Sequence, residues 1–137
     1  MWWIYALLSA FFAALTAIFA KIGITGVNSN LATAIRTIII LLVAWGIVLL
    51  RGEAKGIASL SRQNIFFLIV SGVATGLSWI FYFKALQLGK VSQVAPVDKI
   101  SVALTIVLSV LFLGETLSIK TAVGALLIII GTVVLIF

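Results

Sequence analysis

The stretch "LATAIRTIIILLVAWGIVLL", residues 31–50, carries a single charge, Arg36, in an otherwise apolar run. A helix rises 1.5 Å per residue and needs about 20 mostly apolar residues to cross the hydrocarbon of a bilayer. This run therefore reads as a transmembrane helix. Runs of the same kind recur over 2–20, 65–83, 91–113 and 119–137, which makes five spans. Between them lie "KIGITGVNSN", "RGEAKGIASLSRQN", "KALQLGK" and "GETLS", holding the Gly, Asn and Ser residues of turns and helix caps. Connections this short make consecutive helices antiparallel. The expected fold is an all-α integral membrane protein, with one domain over residues 1–137.

Composition points the same way. Of 137 residues, 64% are apolar and 9% charged, against roughly 25% charged in a soluble domain. A sphere this small cannot hide that surplus, so the solvent must be lipid. The chain has no cysteine and no histidine. Disulfides, thiolate metal sites, the commonest metal ligand and the usual near-neutral general base are thereby lacking. No metal, no cofactor and no enzymatic activity are expected. The nine basic residues behind the net charge of +6 are scattered rather than gathered into an aromatic-interleaved patch. The expected partner is thus the anionic face of membrane lipid, not nucleic acid. The start, "MWWIYALLSAFFAALTAIFA", has no basic leader region, and its tryptophans sit where interfacial anchors belong.

The positive-inside rule places the loop carrying Arg51, Lys55 and Arg62 in the cytoplasm, together with Lys120. Lys21, Lys84 and Lys90 then lie on the other side. So slight a bias suits a chain that inserts both ways and pairs with an inverted copy of itself, an antiparallel homodimer of ten helices.

Helical phase, about 100° per residue, sorts the polar residues into stripes. Tyr5, Ser9 and Thr16 share a face of the first span, and Thr33, Arg36 and Thr37 one of the second. Ser71, Thr75, Ser78 and Tyr82 line the third, and Asp98, Ser101, Thr105 and Ser109 the fourth. Such hydroxyls either bond back to their own helix or line a path between helices. The fifth span has almost no polar face. Gly124 and Gly131 lie seven residues apart on one of its sides and would admit another backbone, so they are the expected dimer contact.

Charges inside spans mark candidate sites. Arg36 enters its span about 7–8 Å deep at 1.5 Å per residue, and Asp98 lies at a comparable depth in the fourth. Two readings stand. Arg36 and Asp98 form an ion pair between helices, or the basic layer receives a substrate carboxylate or phosphate on the Arg36 fork, with Asp98 accepting a substrate amine. The candidate substrate-binding residues are Arg36, Thr37, Ser78, Trp79, Tyr82, Asp98, Ser101 and Thr105, with Trp79 and Tyr82 as an aromatic wall. Lys99 is expected to point about 100° away from Asp98 and to serve separately. Pro96, the one proline, is either an early-turn residue or a helix kink that opens backbone carbonyls toward the polar layer.

The runs "FYFKALQLGKVSQVAPV" (81–97) and "LSVLFLGETLSIKTAVGALLIIIGTVVLIF" (108–137) resemble the EamA-type half of the drug/metabolite transporter superfamily. Matching positions include Ala85, Leu86, Ala95, Pro96, Gly114, Glu115, Gly124, Leu127, Ile128 and Gly131. Most members carry two such halves as an inverted repeat of ten spans, so the resemblance implies that a single half works as a dimer. "GALLIIIG" is also similar to the dimerising last helix of the small multidrug resistance transporters. Those use a glutamate in the first span to exchange protons for cationic drugs, and the first span here has no acid. The resemblance implies a plasma-membrane transporter of small metabolites working by alternating access, amino acids or related carboxylates first. A homodimer is expected, or a heterodimer with a second half. A non-transporting subunit of a larger complex and a lipid-phosphate carrier translocase of the same superfamily are the alternatives.

Overall fold

The computed structural model describes residues 1–136; Phe137, the last position of the expected fifth span, lies outside the described residues. Among them the chain is helical, with no strand. The helices are α1 (Trp2–Gly23), α2 (Ser29–Leu50), α3 (Arg62–Leu88), α4 (Val91–Asp98), α5 (Ile100–Leu113) and α6 (Ile119–Ile136), and a 3₁₀ turn covers Glu53–Ser59. Five stretches are long and apolar enough to cross a membrane, with α4 and α5 together forming the fourth, Val91–Leu113.

The ends of these helices follow from local chemistry. Asn28 caps α2, its side-chain oxygen accepting the N–H groups of Asn30 at 2.9 Å and Leu31 at 3.3 Å. Ser61 accepts the N–H of Asn64 at 3.0 Å at the head of α3, and Ser118 that of Thr121 at 3.1 Å at the head of α6. α5 stops at Gly114, which takes φ 68°, and the Glu115 N–H returns to the Ser109 carbonyl at 3.3 Å. That is the Schellman closure a left-handed glycine permits.

The helices outrun the hydropathy reading at several ends, α1 reaching Gly23, α2 starting at Ser29 and α3 at Arg62, and two differences matter most. The third helix runs through Leu88, so Lys84 and Gln87, expected in a loop, are helical. Leu86 there is fully buried, and Gln87 donates to the Val27 carbonyl at 2.8 Å. Tertiary contacts thus hold the last turn where hydropathy has already fallen. The fourth span is not one helix, since α4 ends at Asp98 and α5 begins at Ile100.

The chain divides into two compact units: Phe19–Gln87, and Met1–Ile18 together with the stretch from Leu88 onward. In the first, Ala20, Ile24, Ser29, Thr33, Phe83 and Leu86 are buried. They lie where α1 ends, α2 begins and α3 ends. The Lys21 ammonium donates to the Leu86 carbonyl there, meeting an acceptor that the end of α3 leaves open. In the second unit α6 packs against α4 and α5, with Thr132 buried and Gly124, Ala125, Ile128 and Ile136 half-buried on one side of it.

Candidate functional site

Arg36 stands on α2, seven positions past its first residue, or about 10 Å along the axis. Its guanidinium carbon lies 4.4 Å from the centroid of the Trp79 ring and 5.2 Å from that of Phe83, both on α3. Trp79 and Phe83 are four apart and so share one face of their helix. An arginine over an aromatic face is held by the ring quadrupole, an attraction worth about 0.5–2 kcal/mol that strengthens as water is excluded. Phe83 is fully buried and Trp79 half-buried. The one acid of the same unit, Glu53, lies beyond the far end of α2, 3.8 Å from Arg51. Within its unit, then, Arg36 meets aromatic rings and no carboxylate. Stacking covers a face of the guanidinium, while its N–H edge is the part that forks onto an oxyanion.

The other expected residues have varied placements, each described within its own unit. Tyr82 is half-buried and Ser78 exposed. Thr37 donates its hydroxyl to the Thr33 carbonyl at 2.8 Å, and Thr75 donates to Ser71 at 2.9 Å. The fourth span repeats the pattern, with Thr105 on the Ser101 carbonyl at 2.8 Å and Ser109 on Ile106 at 3.0 Å. Each hydroxyl owns one proton and spends it on its own helix. Toward a ligand these groups are acceptors, matched to an ammonium and not to a carboxylate.

Asp98 ends α4, and its carboxylate lies 3.3 Å from the Lys99 ammonium. This corrects the expectation that the two point apart. Successive side chains of a helix point about 100° apart, and the pair sits where α4 ends and α5 begins, with the flexible lysine stem reaching back to the carboxylate. Pro96 sits inside α4, three residues before Lys99. The Lys99 N–H closes on the Pro96 carbonyl at 3.0 Å in a tight three-residue turn. The same Pro96 carbonyl accepts the Thr132 hydroxyl of α6 at 3.2 Å.

Sequence reasoning did not single out Phe83 or Thr132. Phe83 carried a signal, its four-residue spacing from Trp79. Thr132 carried a fainter one, the one hydroxyl in α6 beyond its first turn. At Gly124 and Gly131 an added Cβ would meet no heavy atom within 4 Å among the described residues.

The EamA-like transporter family matches residues 1–137, the whole chain. The chain belongs to this family. It is similar to a protein of a Sinorhizobium species described as an uncharacterized transporter in the cobO 3′ region, with 46% identity over 134 residues, covering 98% of this chain and 95% of that one. It is also similar to an uncharacterized protein of Methanocaldococcus jannaschii, 37% identical over 81 residues, which is 59% of each. Both relatives are therefore about as long as this chain. No solved structure matches it. Family and fold together make this a multi-pass membrane transporter.

Proposed function

We propose that the chain carries small metabolites bearing a carboxylate, amino acids first among them, across the plasma membrane. It works by alternating access as an antiparallel pair of chains. The observation that carries this reading is Arg36: a guanidinium in a membrane-spanning helix, backed by Trp79 at 4.4 Å, with no carboxylate partner in its unit. A charge kept at this depth is costly unless a ligand or partner repays it. The backbone-bonded hydroxyls of Thr37 and Thr75 present acceptor lone pairs that suit an amine on the same substrate. Asp98, in the other unit where α4 ends, is a separate candidate contact for the substrate.

Pairing is supported by length and surface. Two relatives of this size exist, while the fold that the family builds from two halves needs ten spans. Gly124 and Gly131 offer the approach on α6 that a second backbone needs.

The test is uptake into proteoliposomes, with a panel of amino acids, other carboxylates and lipid phosphates. Wild-type protein should move a carboxylate, and Arg36→Ala should abolish that movement while still inserting. Preference for a lipid phosphate would move the substrate class to the lipid carriers. If no member is moved or raises the melting temperature, the chain is a subunit of a larger complex.

A further inference from the structure

Thr132 is 3% exposed, and its hydroxyl oxygen stands between two carbonyls: Ile128 of its own helix at 2.8 Å and Pro96 of α4 at 3.2 Å. The bond back to Ile128 is what a helical threonine ordinarily makes, as at Thr33, Thr37, Thr75 and Thr105. The second acceptor, on another helix, sets Thr132 apart from those four.

That acceptor is not an arbitrary carbonyl. Pro96 lies in the last turn of α4, where helix carbonyls lack regular partners, and its oxygen already takes the Lys99 N–H at 3.0 Å. This is the turn that ends α4 and starts α5. The same turn carries the charge pair, Asp98 and Lys99, whose side chains meet at 3.3 Å. A hydrogen bond on the Pro96 oxygen therefore acts at the hinge of the charge pair, from a helix that packs against both α4 and α5.

We propose that Thr132 is the positioning residue for Asp98. Its hydroxyl holds the Pro96 carbonyl, fixes the bend between α4 and α5, and so keeps the Asp98 carboxylate beside the Lys99 ammonium. The transport consequence rests on the reading of Asp98 as a contact on the substrate path.

The sequence makes a direct test practical, because Pro96 is the only proline and Asp98 the only aspartate. Cell-free synthesis with carbonyl-¹³C proline and carboxyl-¹³C aspartate places one isotopic reporter at each position, read by infrared difference spectroscopy in bilayers. Thr132→Val should raise the labelled Pro96 carbonyl frequency and shift the Asp98 carboxylate band, and Thr132→Ser should leave both as in wild type. Thr132→Ala replaces the valine variant if that one does not reconstitute. An unmoved band at either label overturns the proposal.

Transport supplies the second arm. Losing one hydrogen bond at the hinge should raise the substrate KM about three- to tenfold, with serine restoring it and with no further loss in an Asp98→Asn background. Wild-type KM in the valine variant, beside an impaired Asp98→Asn, also overturns the positioning role. If Asp98→Asn itself transports normally, the substrate role of Asp98 fails and the two bands alone decide what Thr132 positions.

Discussion

The Arg36 guanidinium carbon lies 4.4 Å from the Trp79 ring centroid, so within its unit this cation of a membrane-spanning helix is held by an aromatic face and not by a carboxylate. Replacing Arg36 with Lys keeps the charge but loses both the flat stack and the two-pronged edge. Uptake should then fall nearly as far as with Ala. Trp79→Ala, which removes only the support, should raise KM by about 2- to 30-fold, the equivalent of 0.5–2 kcal/mol. Concentration-dependent uptake separates the two, and a Lys variant at wild-type rate would reduce Arg36 to a simple charge.

Asp98 and Lys99 are paired at 3.3 Å with side chains 37% and 56% exposed. Pairs so open to their surroundings contribute about 0–1 kcal/mol. Asp98→Asn and Lys99→Met should therefore change the melting temperature of detergent-solubilised protein by only a few degrees. A large loss of uptake in Asp98→Asn, without a loss of stability, assigns that carboxylate to transport.

The buried end of the first unit behaves differently. Phe83 and Leu86 are fully enclosed, so truncation to Ala should cost about 3–5 and 2–5 kcal/mol respectively. Phe112, 80% exposed, should tolerate Ala within about 0.5 kcal/mol. Thermal unfolding of the three variants checks the ranking, and equal melting points would contradict this core.

Orientation can be read with single cysteines, since the chain contains none. Gly26 is a poor label site because its φ of 74° suits glycine alone, whereas Thr25 beside it is exposed and takes an ordinary conformation. Gly56, in the connection between α2 and α3, tolerates a side chain. An impermeant thiol reagent applied to intact cells should label both Thr25→Cys and Gly56→Cys if chains insert in both directions. Labelling at one position only would exclude dual insertion and with it the antiparallel homodimer.

The five spans, the helical class and the family were legible in the residues, because crossing a membrane is a local property. Each run of about 20 apolar residues satisfies its backbone within itself and partitions on its own composition. For the same reason Arg36 and Asp98 stood out, as charges that composition alone makes conspicuous. Their partners were another matter. The indole under Arg36 comes from a helix 43 positions further along the chain, reckoned from Arg36 to Trp79. Lys21 caps Leu86 65 positions away, and Thr132 reaches Pro96 across 36. Helical phase describes one helix at a time, and it failed at Lys99, where that helix stops. Which face meets which, and where one helix stops and the next begins, depends on how side chains from distant segments fill space together.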